Sequence, residues 1–326
     1  MKTIHAFFVP FCLMLSLAFV FTSCNDDPDG DATGAVNVAL TDGPLDDARV
    51  EGVFVTVTGV EVNGSPLADF SGKQTIELSA LTQGSTRMLG SDNLTAGAYS
   101  DVRLLLDTEM DATGNAPGCY VLTDDGTRHP LKINGTASGM AQVNTGSFMV
   151  NADQTTNVVI DFDLRKALQY ESSGDMSDAY EFVAQTDLNA ALRLVNEEET
   201  GTIRGQADRN SIVDGNARIV AYAYASGTYN ESSETQAQGS GQIMFANAVT
   251  SCAVNSAGEY MLSFLPAGEY DVVFAAYKDN NSDGESEFVG TLNVGLLGNL
   301  GISPGSVTVE SSLSVNLNIG ILGIQP

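Results

Sequence analysis

The sequence predicts an all-β fold, two β-sandwich domains in tandem, and three observations carry that prediction. Apolar and polar residues alternate at period two along most of the chain, the pattern that gives a strand one buried and one solvated face. Glycine, asparagine and aspartate punctuate the alternating runs, with 33 glycines among 326 residues, as short strands joined by turns require. Apolar residues make up 43% of the chain, enough to fill two cores, so its acidity is not a mark of disorder.

The elements follow in chain order. Lys2 precedes an almost unbroken apolar run, Ala6–Phe21, which gives way to Thr22-Ser23-Cys24 and then to Asn25-Asp26-Asp27-Pro28-Asp29-Gly30-Asp31. A positive start, an apolar stretch short for a membrane span and small residues at its end read as a secretory signal over 1–23; the alternative is a membrane anchor helix. Residues 24–34 read as an acidic tether. From 35 to 196 the chain reads as strands. Val53, Val55 and Val57 alternate with Phe54, Thr56 and Thr58, the phase slips at Gly59, and Val60 and Val62 resume it, as at a β-bulge. Val102, Leu104 and Leu106 alternate with polar partners, and Asp125-Gly126 marks a hairpin. Val158, Ile160, Phe162 and Leu164 share one face, and Asn157, Asp161 and Asp163 lie on an opposite, solvated one. Asn196-Glu197-Glu198-Glu199-Thr200-Gly201 reads as an exposed charged link.

The second domain, 200–326, repeats the style. Strands are expected at Arg218–Tyr224, Tyr260–Phe264, Tyr270–Tyr277 and Val315–Ile321. Ser226–Gln242 has no apolar period and reads as a long loop, either functional or disordered. Leu94-Thr95-Ala96-Gly97-Ala98-Tyr99 in the first half is echoed by Leu265-Pro266-Ala267-Gly268-Glu269-Tyr270 in the second. Each is a strand end, a glycine and a tyrosine opening the next strand, whose hydroxyl is placed to reach back to nearby backbone. Duplication and convergent hairpin grammar both account for the echo.

Charge and composition exclude several function classes. Lys and Arg number 14 against 41 Asp and Glu, a net charge of −27, which phosphate backbones repel, so nucleic acid is excluded as a partner. There is no Trp, and the two histidines are His5, inside the signal, and His129, so multi-histidine metal sites are excluded. No phosphate-cradling glycine motif opens a helix. Asp161 and Asp163 stand about 7 Å apart along one strand face, the spacing of a carboxylate pair in inverting glycosidases, but the surrounding aliphatic alternation marks a half-buried strand instead. His129 reads as a surface or structural histidine, and Asp42-Gly43-Pro44 with Asp46-Asp47 as a turn. No catalytic residue is assigned, and the chain reads as a non-enzyme.

The sharpest local motif is Asp279-Asn280-Asn281-Ser282-Asp283-Gly284-Glu285-Ser286-Glu287. It has the opening of a calcium loop: oxygens of Asp279, Asn281 and Asp283, the Glu285 carbonyl, a later carboxylate at Glu287 and glycine at the sharp turn. Position twelve is Gly290, so the loop is not an EF-hand. The readings are a structural Ca²⁺ site between sandwich strands or an ordinary acidic turn.

Three resemblances follow. Cys24 after small residues resembles a lipobox, with Val20-Phe21-Thr22-Ser23 in place of the usual residues, and the acidic run after it resembles the surface-export signal of Bacteroidetes-type lipoproteins. This implies lipidation at Cys24 and a bacterial outer-membrane location, lipid-anchored and facing the exterior. Cys119 and Cys252 then remain, either as one disulfide or as two buried thiols. The first half resembles the domain-of-unknown-function family 4382 through Leu40–Pro44, Val55–Val62, Leu94–Asp107, Pro130-Leu131-Lys132 and Asp161–Lys166; that family implies no activity. The second half is similar to carboxypeptidase-regulatory or transthyretin-like sandwiches, classed with carbohydrate-binding-like folds, through Gly258-Glu259-Tyr260 and Leu265–Val272. It lacks their Trp for sugar stacking, for which Tyr222, Tyr224 and Tyr229 are candidate substitutes, with Tyr222 and Tyr224 equally suited to the core. The expected role is non-catalytic binding or adhesion, with carbohydrate or an envelope protein as partner. The rival classes are an accessory glycan-processing enzyme and a purely structural envelope protein.

Overall fold

The structure, a computed structural model, describes residues 32–43, 49–70, 72–133, 140–143, 147–170, 180–208, 217–239, 242–280, 286–298 and 304–325. Cys24, the signal and most of the tether lie outside them. The fold is all-β. The first half carries β1 (Thr33–Gly43), β2 (Val50–Val62), β3 (Arg87–Thr95), β4 (Val102–Leu106), β5 (Tyr120–Thr123), β6 (Arg128–Pro130), β7 (Met140–Val143), β8 (Thr155–Asp163) and β9 (Leu192–Asn196). One sheet runs β9-β8-β1-β3, and a second runs β7-β4-β2-β5-β6 with two short strands against β2. Residues at period two from both sheets share one core: Val36, Val38 and Leu40 of β1 and Ile160 and Phe162 of β8 meet Val53, Val55 and Val57 of β2 and Leu104 of β4. The phase slip at Gly59 is a shift of register between β2 and β4, and it returns Val60 and Val62 to the core. Asp125-Gly126 turns the β5–β6 hairpin, with Gly126 at φ 82°, a conformation glycine adopts without steric cost.

β1 and β8 pair in parallel, from Ala35 opposite Thr155 to Gly43 opposite Asp163. Asp42 and Gly43 are therefore the end of a strand, not the turn their dipeptide chemistry suggests. Pro44, Asp46 and Asp47 lie outside the described residues.

The second half carries β10 (Thr200–Asp208), β11 (Arg218–Ala225), β12 (Thr250–Ala253), β13 (Glu259–Pro266), β14 (Gly268–Lys278), β15 (Glu287–Leu296), β16 (Ser314–Asn316) and β17 (Ile319–Gln325). They form one continuous sheet, β12-β11-β14-β15-β17-β10-β13, with β16 against β10 and Val307–Val309 against β14. Its edge strands β12 and β13 lie against each other, so the sheet curls around its own core of Ile203, Ile219, Leu262, Phe274, Ile319 and Ile321. The strand expected over Val315–Ile321 is broken at Leu317-Asn318. There the Leu317 amide donates to the Arg204 carbonyl at 2.8 Å and the Leu317 carbonyl accepts the Tyr260 hydroxyl at 2.5 Å. Gly205 makes this approach possible, because a Cβ there would sit on the Leu317 carbonyl.

Both echoed motifs do what their tyrosines suggest. Tyr99 donates to the Thr95 carbonyl at 2.9 Å and Tyr270 to the Pro266 carbonyl at 2.8 Å, each four residues back. Tyr270→Phe is expected to lower unfolding free energy by about 0.5–1.5 kcal/mol, read from chemical denaturation midpoints.

Helix is confined to short pieces, of which α1 (Leu164–Ala167), α2 (Gln185–Ala191) and α3 (Glu231–Glu234) are α-helical. The long-loop reading of Ser226–Gln242 gives way here, since side chains of four residues tie α3 down. Glu231 accepts from Thr291 at 2.7 Å and from Gln325 at 3.1 Å. Glu234, 2% exposed, accepts the Tyr224 hydroxyl at 2.8 Å and both the backbone and side-chain nitrogens of Asn247. Burial opposes the Glu234 charge, but the hydrogen bonds from Asn247 and Tyr224 outweigh it and hold the carboxyl below its ordinary range.

Cys119 and Cys252 are separate free thiols, each buried and pushed up to about 12 by that burial. His129 is structural: it is 5% exposed, 3.2 Å from the Thr123 hydroxyl, with the Tyr180 ring edge-on to it.

Candidate functional site

Ala32–Pro326 forms one compact unit, and the place where its two cores meet collects most of the buried charge. Asp161 and Asp163 are not on a solvated face; they are 5% and 9% exposed. The alternation along β8 correctly separates two faces, but the outer one is covered by the second half. Val159 of β8 and Val195 of β9 form a small apolar cluster with Phe264 of β13.

A bulge delivers Phe264 to that seam. Gly201 pairs with Leu265 and Ile203 with Leu262, so Ser263 and Phe264 together face Thr202. Phe264 takes φ 56°, a left-handed conformation that a bulky side chain rarely adopts and that surrounding structure must hold in place. Arg193 of β9 is part of that hold. Its Nη1 donates to the Phe264 carbonyl at 2.8 Å, while its Nη2 and Nε reach Asp161 Oδ2 at 2.5 and 3.2 Å.

The other two cations at the seam follow the same plan, each holding an aspartate of the first half and a carbonyl of the second. Arg165 pairs with Asp163 at 2.8 Å and reaches the Phe245 carbonyl at 3.4 Å, and Lys166 lies 3.4 Å from Asp163 and donates to the Ala248 carbonyl at 2.9 Å. Burial works against ionisation of Asp163, yet Arg165 and Lys166 prevail and keep its carboxyl below the usual range. Both carboxylates of the spaced pair are thus engaged as ion-pair acceptors.

Two spaces open beside these clamps. One is a groove of about 420 Å³ between Asn157, the Glu197-Glu198 turn, Thr202 and Ser312–Ser314, with Phe264 in its wall. The Ser312 hydroxyl donates to the Glu198 carbonyl at 3.1 Å and Thr200 to the Glu197 carbonyl at 2.9 Å, which fixes the walls to each other. The other is a cavity of about 20 Å³ under the Gln83-Gly84 turn, whose walls include Asp42, Asp161, Ser251 and Ser263. Asp42 is 9% exposed, and neither of its carboxylate oxygens has a partner at close hydrogen-bond geometry among the described residues. Burial pushes this carboxyl well above its ordinary range, and Asp163 and Asp161 add to the push. A backbone hydrogen bond from Leu164 and the nearby charge of Arg165 oppose the shift without reversing it.

Of the expected calcium loop, Asn281, Asp283 and Glu285 lie outside the described residues. Asp279 and Glu287 flank it, and the Asn280 amide donates to Glu287 Oε2 at 2.9 Å, which brings the two ends of the loop together. Among the described residues no set of three or more His, Cys, Asp or Glu side chains is arranged to hold a metal ion. Tyr222 and Tyr224 are no sugar platform. Both are fully buried, Tyr222 stacked on Phe245 with its hydroxyl 2.7 Å from that of Tyr277, and Tyr224 spent on Glu234. The sequence pattern gives Arg193, Phe264 and Asp42 no functional role; the one available signal is Arg193, a lone cation between Leu192 and Leu194.

Residues 33–182 match the family described as a domain of unknown function (DUF4382), which agrees with the resemblance of the first half. No curated protein matches the chain. Among solved structures it is similar to a leucine-rich repeat protein from Bacteroides thetaiotaomicron at 13% identity, with 90% of this chain covered, 26% of that one and a TM-score of 0.21. It is similar to the major pilin subunit of Bacillus cereus at 9% identity, with 90% and 71% covered and a TM-score of 0.22. A minor pilin of Streptococcus agalactiae shares 12% identity, with 89% and 96% covered and a TM-score of 0.20. These scores lie far below the level at which two chains share a fold. No helix among the described residues is long and apolar enough to cross a membrane.

Proposed function

We propose that this protein is a non-catalytic lipoprotein, anchored to a bacterial outer membrane through Cys24 and facing the exterior, whose seam groove binds a polyhydroxylated ligand of the glycan class. The observation that supports the reading best is the groove itself. At about 420 Å³ it is within the size range of small-ligand sites. Its walls combine the hydroxyls of Thr202, Ser312 and Ser314, the Asn157 amide and two glutamates with the single aromatic Phe264. That is the donor and acceptor mix a sugar needs, and the seam clamps hold it rigid, which reduces the ordering cost of binding. The Cys24 anchor is supported by the order of charge, apolar run and small residues before it.

The test is a glycan array probed with the full chain and with Ser314→Trp, which fills the groove from an exposed wall position. Retention of specific sugars by the parent and their loss in Ser314→Trp, with unchanged melting, is the expected result. Capture unaffected by Ser314→Trp removes the groove from the reading, and turnover of an arrayed sugar replaces binding with catalysis. In parallel, Cys24→Ser is expected to move the protein from the membrane to the soluble fraction, and an unchanged distribution refutes the anchor.

A further inference from the structure

We propose that the ligand of the groove is a linear, uncharged oligosaccharide whose chain continues out of the groove across the outer face of the first sheet. The inference rests on the glycan reading of the groove and extends it to residues outside the groove walls. Strand register builds that face. Residues directly opposite each other in paired strands, and residues two apart along one strand, project from the same side of a sheet. Val159 is on the outer side of β8, where Phe264 of the second half covers it. Asn157, two residues earlier, borders the groove, and beyond it the face opens. The row through Asn157 continues to Asn37 on β1 and Ser91 on β3, and the next row joins Thr155, Ala35 and Asn93. Asn93 and Thr155 are exposed, and the other four are half-buried.

The two amides at the centre are held in place with hydrogen-bonding capacity to spare. Asn37 Nδ2 donates to Asn157 Oδ1 at 2.9 Å. That bond leaves the Asn37 carbonyl oxygen and the Asn157 amino group side by side, the acceptor and donor that two adjacent sugar hydroxyls require. Because each amide orients the other, little rotamer freedom remains to be lost on binding. Ala35 beside them is small, which keeps the face flat enough for a sugar ring to lie on it.

Size and charge select the occupant. Neighbouring strands lie about 4.8 Å apart, so the path from β8 to β3 adds about 10 Å to the groove, the length of a disaccharide. A protein partner calls for large apolar anchors at the centre of the face, whereas these rows offer amides, hydroxyls and one alanine. Neither the rows nor the groove walls contain Lys or Arg. Carboxylates stand at both ends of the path: Glu197 and Glu198 in the groove, and Asp69, which accepts the Ser91 hydroxyl at 3.4 Å. Chains that carry uronic acid or sulfate groups are therefore repelled.

The experiment measures binding of the full chain, in detergent, to linear gluco-, manno- and galacto-oligosaccharides from disaccharide to hexasaccharide, with oligogalacturonates of matching length. The expected result is that a neutral tetrasaccharide binds about tenfold tighter than its disaccharide, the effect of one or two net hydrogen bonds, and that galacturonates bind more weakly at each length. Asn37→Ala with Asn93→Ala is expected to bring the tetrasaccharide down to the affinity of the disaccharide, with an unchanged melting midpoint. Asn93→Trp, which blocks the face from an exposed position, is expected to do the same, and Ser314→Trp to abolish binding at every length. Binding that requires an open groove but is indifferent to chain length, or a length dependence that survives both face variants, overturns the extension and leaves the groove reading standing. Galacturonates bound as tightly as neutral chains overturn it as well. No binding at any length overturns the groove reading and the extension together.

Discussion

Replacing Arg193 with methionine is expected to lower unfolding free energy by about 3–5 kcal/mol, the cost of stranding a buried carboxylate without its partner. Asp161 is 5% exposed and takes two of the Arg193 hydrogen bonds. Methionine keeps most of the apolar stem and removes the charge, so the loss is electrostatic and not one of packing. Phe264 loses the donor at its carbonyl at the same time, which weakens the hold on its left-handed backbone. The companion measurement is the double variant Arg193→Met with Asp161→Leu. Because a buried ion pair replaced as a unit costs far less than a broken one, the double variant is expected to be more stable than Arg193→Met alone. A double-mutant cycle on denaturation midpoints reads the coupling directly. Additive losses would mean that Asp161 finds another partner when Arg193 is gone.

Glu234→Ala is expected to cost roughly 2–4 kcal/mol, because it removes charge-assisted hydrogen bonds and leaves a buried donor bare. The bare donor is Tyr224, which is completely buried and whose hydroxyl donates to Glu234 Oε2. The effect should be local before it is global. α3 is four residues long and too short to persist on its own helical hydrogen bonds; without the Glu234 carboxylate it depends on the ties of Glu231 to Thr291 and Gln325 and on the Phe245 amide at the residue-234 carbonyl. Limited proteolysis is therefore expected to cut the variant within residues 226–239 under conditions that spare the parent, a local opening that precedes cooperative unfolding. Protection equal to the parent would show that the Glu231 contacts and the Phe245 backbone bond suffice.

These two sites show which information a sequence carries in the open. The strand phase over Val53–Val62, the slip at Gly59 and the two backward-reaching tyrosines are local: each depends on residues a few positions apart, so spacing reveals them. Asp161 and Asp163 were misread because alternation divides a strand into two faces without saying what covers each. The cover is β13, which is distant in sequence and reaches the seam through a bulge that no glycine, asparagine or proline advertises. Phe264 is an aromatic residue in a backbone conformation normally left to glycine, and its identity argues against the geometry it adopts. Asp42-Gly43 is turn chemistry by composition, yet parallel pairing with Phe162 and Asp163 keeps both residues in a strand. Likewise, the alternation of Val315–Ile321 hides the Leu317 break, which exists because Tyr260 and Arg204 claim its backbone groups. The groove and the cavity were invisible for the same reason: their walls come from strands that are neighbours only after folding.

The strand order also governs when the molecule can take shape. β1 is flanked by β8 and β3, so the innermost pairing of the first sheet waits for a strand some hundred residues later. In the second half β10 lies between β13 and the parallel strands β16 and β17, which are among the last residues of the chain. Each half is closed by its own late segments, and closing such long loops costs chain entropy before any contact repays it. A chain emerging from its N-terminus, from a ribosome or through a membrane pore, can then complete neither sheet early. The second half completes only when Ile319–Gln325 is released, so the wait to fold is built into the order of the strands.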